Sequence, residues 1–169
     1  MTMKLMTAAA LAATLMLGSS ALAQEQGSQK FLKQAIEGNL AEVQMGELAQ
    51  KNGGSEGVRS FGQMLQKDHS AANQKAKAAA DKLGVSPPSA PNSKQKAMYD
   101  RLSKLSGAKF DQAFIKDMVA DHKKDIKEYE AEAKKKDAAG SYASEALPTL
   151  RKHLETAQSL NSGATTGKR

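Results

Sequence analysis

Apolar residues recur every three to four positions along most of the chain, which is the spacing that places them on one face of an α-helix. This pattern predicts four long amphipathic helices and one short one. The long helices cover residues 29–52, 55–83, 108–136 and 141–160, and the short helix covers residues 93–105. Ser55 and Ser93 stand where the second and the short helix would have their N-caps. The chain is therefore expected to be all-α.

The connections between these helices predict how they are arranged. A Gly-Gly turn at 53–54 joins the first two helices and residues 137–140 join the last two, so each pair should form an antiparallel hairpin. Residues 84–106 separate the hairpins, and three prolines prevent a continuous helix there. This segment is long enough to return along the bundle. We expect a ferritin-like four-helix bundle with a crossover that carries the short helix; a plain up-down-up-down bundle is the alternative.

The first 23 residues follow a different pattern. Lys4 is their only charge, an apolar run follows over residues 5–17, and Ala21-Leu22-Ala23 ends the segment. A positive start, a short apolar middle and a small-residue exit are typical of a secretory signal peptide. We expect cleavage after Ala23 and a periplasmic or secreted product. A membrane anchor is the alternative, but the apolar run is shorter than the roughly 20 residues that span a bilayer.

The rest of the chain then divides into a polar lead-in at 24–28, a bundle domain at 29–160 and a polar tail at 161–169, which we expect to be disordered. No later segment is apolar enough to span a membrane, so the mature protein is expected to be soluble.

Composition narrows the possible functions. The 169 residues include no cysteine, which excludes disulfides, thiolate metal sites and a cysteine nucleophile. The net charge of +7 is spread along helices that also carry many acids, so we expect no nucleic-acid binding. Peripheral association with an anionic envelope surface remains open, as does the oligomeric state. No nucleophile elbow, phosphate-binding glycine loop or zinc-protease motif is present, which favours a non-enzymatic role.

The histidines are the main candidates for chemistry. His69, His122 and His153 lie on three different helices, each on the apolar side when residues are placed at about 100° intervals. The first helix contributes Glu42 to the same side. With a crossover, all four residues lie 12 to 14 positions after the predicted starts of their helices, so they should share one level near mid-bundle.

Imidazole and carboxylate groups that converge from four helices could bind Zn, Fe, Mn or Cu. Asp125 lies on the same face as His122, one turn later, and completes the candidate set. Asp68 and Asp121 stand beside histidines and could orient their ring N–H groups. The alternative is that each histidine is a buried polar group, satisfied by a neighbouring acid in a structural network.

Methionines near this level raise a second metal possibility. Met45, Met64 and Met118 flank the histidines, and thioether with imidazole would suit Cu(I). Methionine at helical spacing is more often core filler.

The chain also resembles a bacterial exported family known as domain of unknown function 4142. The resemblance runs from Phe31 to Leu160. Its segments are FLKQAIEGNLAEVQMGELAQ (31–50), FGQMLQKDHSAAN (61–73), FDQAFIKDMVADHKKDIKEYE (110–130) and LPTLRKHLETA (147–157). It implies a ferritin-like bundle in the envelope, with no established biochemical role.

The di-iron pattern of ferritin-like proteins requires Glu-x-x-His on two helices. Gln66 and Leu150 stand three residues before His69 and His153, so this pattern is not met. The leading hypothesis is a non-enzymatic envelope or stress-related bundle. The alternatives are a metal-binding or redox protein that uses the mid-bundle site, and a helical chain that becomes ordered only against a partner or membrane.

Overall fold

The computed structural model describes residues 7–166, with side chains from 22 to 162. This part of the chain contains five helices and no regular strand. They are α1 (Thr7–Asn52), α2 (Glu56–Lys82), α3 (Ser93–Leu102), α4 (Gly107–Glu132) and α5 (Ala138–Thr166). The all-α prediction is confirmed. No helix in the described part is long and apolar enough to cross a membrane.

The first and last helices are longer than the periodicity predicts. α1 begins at Thr7, so the lead-in at 24–28 is helical, consistent with the good helix-forming character of its Gln and Glu residues. The helix passes through Ala23, and cleavage there stays a prediction. α5 continues to Thr166, and the Ser162 hydroxyl donates to the Gln158 carbonyl within this extension. Residues 161–166 are thus helical, while the rest of the predicted tail lies outside the described residues.

The crossover is present. Gly107, the first residue of α4, forms an isolated backbone bridge with Gly53 in the turn between α1 and α2. α2 and α4 therefore begin at the same end of the bundle and run parallel. The plain up-down-up-down alternative is wrong, because it would start α4 at the opposite end.

A carboxylate from α4 secures this end of the bundle. The Asp111 side chain is 9% exposed and accepts hydrogen bonds from the backbone N–H groups of Gly54 and Ser55, both at 2.8 Å. Ser55 is the N-cap of α2, as predicted, and its hydroxyl accepts from the backbone N–H of Val58. Asp111 thus satisfies donors at the beginning of α2 that the helix itself leaves unpaired.

The short helix of the crossover is held against α1. Its N-cap is Asn92 instead of the predicted Ser93, because Asn92 and Gln95 form a reciprocal capping box. The Asn92 amide also donates to Glu37 on α1 at 3.1 Å. α3 therefore covers the side of the bundle formed by α1 and α4.

The buried apolar residues form two clusters at different heights. The cluster near the end of α2 includes Leu32, Ile36, Tyr129, Tyr142 and Leu150. The cluster near the beginning of α2 includes Met45, Phe61, Leu65, Phe114 and Met118. The histidines lie between the clusters in sequence on every helix that carries one, so a polar layer divides the core.

α1 and α2 approach each other closely at two glycines, Gly46 on α1 and Gly62 on α2. A Cβ on Gly46 would lie 2.4 Å from the Gly62 carbonyl oxygen and 2.8 Å from the Gln66 backbone nitrogen. Backbone atoms cannot move aside as a flexible side chain would, so any larger residue forces the helices apart. Gly38, on the same helix, has far more space: the nearest atom to an added Cβ is Gln95 Nε2 at 3.9 Å.

Gly46 and Gly38 provide a matched test of the packing between α1 and α2. We expect Gly46→Ala to lower the free energy of unfolding by about 1–3 kcal/mol, because the overpacking outweighs the gain in helix propensity. Gly38→Ala should raise it by up to about 1 kcal/mol, because only the propensity gain operates there. Urea denaturation of both variants measures the difference, and equal effects would contradict the close contact.

Candidate metal centre

Three buried imidazoles lie together between the two apolar clusters. His69, His122 and His153 are 5%, 2% and 0% exposed, and their ring centroids are 5.2–5.9 Å apart. One ring nitrogen from each lies within 4.8 Å of the other two. In the described part of the chain, this is the one group of three or more His, Cys, Asp or Glu residues with the spacing of metal ligands.

The hydrogen bonds of two rings determine which nitrogen carries a lone pair. His69 Nδ1 donates to Asn39 Oδ1 at 2.9 Å, since the Asn39 amide nitrogen itself donates to the Tyr142 hydroxyl. His122 Nδ1 donates to the Met118 carbonyl oxygen at 3.0 Å. In their neutral forms both rings therefore carry the lone pair on Nε2.

His153 has the opposite orientation. Its Nε2 donates to the Asp68 carboxylate at 3.0 Å, which leaves the lone pair of the neutral ring on Nδ1. That Nδ1 lies 3.3 Å from His122 Nε2, so two lone pairs face each other. His69 Nε2 is buried and has no hydrogen-bond partner among the described residues. Each ring thus donates a hydrogen bond from one nitrogen and carries a lone pair on the other.

Burial keeps the rings neutral near pH 7. Desolvation, with smaller contributions from the other two rings, lowers the pKa of His69 well below its usual value. Desolvation and the nearby His153 lower the pKa of His122 to about 4. Burial also lowers the pKa of His153, although its hydrogen bond to Asp68 opposes this effect. Neutral imidazole is the form that binds metal ions.

The other two predicted ligands lie beside this group. Glu42 is 8% exposed, its Oε2 is buried without a hydrogen-bond partner, and it lines a cavity of about 110 Å³ together with His69. Asp125 lines the same cavity and lies 3.4 Å from the Lys124 ammonium, with about a third of its side chain exposed. The structure therefore brings the three histidines together, whereas Glu42 and Asp125 stand outside this group and line a cavity that reaches His69.

Only one of the nearby acids orients a ring. Asp68 accepts from His153, as the sequence predicts, whereas Asp121 lines a different cavity. The sequence pattern did not indicate Asn39 or the Met118 carbonyl as acceptors for the histidine rings. Asn39 could have been found from its position one turn before Glu42 on the same face. A backbone carbonyl has no sequence signal.

The remaining ligand candidates have other roles. Gln66 accepts from Gln50 and donates to Glu47 between α1 and α2, so it takes no part in the histidine layer. The side chains of Met45, Met64 and Met118 pack in the apolar cluster near the beginning of α2. This packing favours the core-filler interpretation over a Cu(I) site.

A further cavity of about 140 Å³ reaches the histidines from the α2–α5 side. His69, His153 and Asp68 line it, with Tyr142 and Leu150. Three nitrogen ligands next to open space are typical of metal sites that keep one coordination position for water or a small ligand.

The family model described as Domain of unknown function (DUF4142) matches residues 13–160. The chain belongs to this family. Its match spans the four helices that carry Glu42 and the histidines, and the family's description names no activity. Comparison with curated proteins and with solved structures gives no match.

The buried rings predict a specific dependence of stability on pH in the metal-free protein. The unfolded chain protonates His122 near pH 6.5, whereas the folded chain does so only near pH 4. The contribution of the neutral ring to the free energy of unfolding is thus complete above pH 6.5 and is lost as the pH falls toward 4. We expect the advantage of the wild type over His122→Gln in free energy of unfolding to shrink by about 3 kcal/mol between pH 7 and pH 4.

Denaturation of both metal-free proteins at several pH values measures this difference. The comparison cancels the opposing contribution of Asp125, whose pKa burial raises to about 6 in the folded chain. An advantage that stays constant with pH would contradict a neutral, buried His122.

Proposed function

We propose that this protein binds a divalent transition metal ion at the three-histidine centre, with Zn²⁺ as the first choice and Cu²⁺ as the second. The observation that carries this proposal is the meeting of three buried imidazoles, each with one ring nitrogen held by Asn39, the Met118 carbonyl or Asp68 and a lone pair on the other. Metal-binding histidines generally donate their other N–H to such acceptors, which fixes the orientation of the ring.

The ligand set and its spacing favour these metals. Imidazole nitrogen suits Zn, Cu, Fe and Ni, whereas Ca and Mg require oxygen ligands. Zn–N bonds of about 2.0–2.1 Å at tetrahedral angles place two ligand nitrogens about 3.3 Å apart. The nitrogens of His122 and His153 are 3.3 Å apart, which matches this separation.

A purely structural polar layer explains the geometry less well. A structural network would pair its buried polar atoms, because each unpaired one costs about 1–3 kcal/mol. Here His69 Nε2 and Glu42 Oε2 have no partner among the described residues, and the lone pairs of His122 and His153 face each other. A bound cation removes the conflict between the facing rings and engages His69.

We also propose that the protein acts outside the cytoplasm, as a periplasmic or secreted protein with an envelope or stress-related role. The single charge at Lys4, the apolar run and the Ala-x-Ala exit at Ala23 support export. The net charge of +7 before cleavage supports peripheral contact with anionic envelope surfaces.

Metal titration tests the main proposal. We expect untagged mature protein to bind one Zn²⁺ per chain by calorimetry. His69→Gln, His122→Gln and His153→Gln should each weaken binding more than about 100-fold, and Asp68→Asn about 10–100-fold because it only orients a ring. Glu145→Gln is the matched control, since this exposed acid lines the same cavity as His153 and pairs with Lys75.

Circular dichroism of each variant confirms that it is folded. A wild type that takes up neither Zn²⁺ nor Cu²⁺, or three histidine variants that bind as tightly as the wild type, would overturn the metal-binding proposal.

Export predicts a defined mature N-terminus. We expect protein recovered from the periplasm or medium of an expressing bacterium to begin at Gln24, because a signal peptidase cleaves after small residues of the Ala-x-Ala type. N-terminal sequencing and intact mass measure this directly. Ala23→Phe should block processing, and full-length wild type confined to the cytoplasm would contradict export.

A further inference from the structure

Two adjoining cavities lead from the side covered by α3 toward the histidine layer. The outer cavity has a volume of about 250 Å³ and includes Asp121 in its lining. The inner one, of about 110 Å³, includes His69. Both are lined by Gly38, Glu42 and Asp125. These shared residues show that the two cavities adjoin between α1, α3 and α4, and we call the pair the acidic passage.

Carboxylates from two helices converge on this passage. Glu42 lies where the two cavities meet, and its Oε2 is buried with no partner among the described residues. Asp125 and Asp121 both add to the effect of burial in raising the pKa of Glu42, so the three carboxyl groups act on the same region. Two lysines also line the passage: Lys124 is paired with Asp125 and Glu128, and the charge of Lys94 acts on Asp121.

We propose that the acidic passage conducts the metal ion from solvent to the three-histidine centre, and that Glu42 transfers it to His69. This inference rests on the proposed function and adds the route. Carboxylates along a cleft raise the local concentration of cations and their association rates by about 10–10³-fold. The unpartnered Glu42 oxygen is placed to receive a cation beside the first histidine.

The ion travels with its water along the outer part of this route. The carboxylates of Glu42, Asp121 and Asp125 do not form a group with ligand spacing, so they would attract the ion without stripping its hydration shell. Six water molecules occupy about 180 Å³ at about 30 Å³ each, which the outer cavity accommodates.

The cavity on the α2–α5 side is the competing route. Its two acids are already engaged: Asp68 accepts from His153, and Glu145 pairs with Lys75. More of its lining surface is apolar than polar, including Ala72, Ala146 and Leu150. It therefore attracts cations less, and it suits a water or small ligand that reaches the ion after binding.

Gly38 allows a direct test, because it lines both cavities and a larger side chain there reduces the open space of the passage. The nearest atom to an added Cβ is Gln95 Nε2 at 3.9 Å, so Gly38→Leu can project into the space. Ala72→Leu makes a comparable enlargement in the opposite cavity and is the matched control.

Stopped-flow mixing with Zn²⁺ at low and high salt measures the association rate constant, and chelator competition measures dissociation. We expect Gly38→Leu to slow association and dissociation about tenfold each and to leave Kd within about threefold of wild type. An obstruction in the passage raises the free-energy barrier to entry and exit and does not change the bound state. Glu42→Gln should slow association about tenfold, because an amide is a poorer ligand for a cation than a carboxyl group. Ala72→Leu should match the wild type in both rates.

The outcomes separate the route from the function. If the wild type binds Zn²⁺ but Gly38→Leu and Glu42→Gln associate at the wild-type rate, the passage is wrong and the metal centre stands. Slowing by Ala72→Leu alone would assign the route to the opposite cavity. A wild type that binds no metal ion overturns the proposed function itself. Melting curves of the three variants establish that the rates come from folded protein.

Discussion

The hydrogen bonds of Asp111 to the backbone of Gly54 and Ser55 set the vertical registration of the bundle. They hold the start of α2 against the first turn of α4, and the Gly53–Gly107 bridge reinforces this arrangement. Because the two helices run parallel from this common end, residues at similar distances from it lie at the same height. The meeting of His69 and His122 follows from this registration, since a slip of one turn would move one ring by about 5.4 Å.

The registration produces a core made of two apolar clusters and a polar layer between them. Such a layer is costly, because buried polar groups lose their hydration. Asn39, the Met118 carbonyl and Asp68 accept hydrogen bonds from one nitrogen of each ring. The remaining nitrogens of His122 and His153 face each other, and that of His69 is buried without a partner among the described residues. Buried nitrogens without a hydrogen-bond donor weaken the fold, and under the proposed function these same nitrogens would bind the cation.

The surroundings of the polar layer differ on its two sides. Toward α3, the buried Glu42 lies with Asp121 and Asp125 in adjoining cavities. Toward α5, the acids are engaged by His153 and Lys75, and the two tyrosines are hydrogen-bonded to each other. The histidine centre is thus reached through an acidic approach on one side and a more apolar cavity on the other. The crossover creates this asymmetry, since it places α3 over only one face of the bundle.

The length of the connection at 84–106 favoured the crossover, and the Gly53–Gly107 bridge decided it. Helical periodicity was sufficient to determine the four long helices and the inward direction of His69, His122 and His153, because direction depends only on the number of residues per turn. It misplaced the cap of α3, since Asn92 owes its role to a reciprocal bond with Gln95. The tertiary structure alone decided which ring nitrogens face inward and where Glu42 points. Those features depend on acceptors contributed by other helices and on a backbone carbonyl, and neither is encoded in the spacing of residues along one helix.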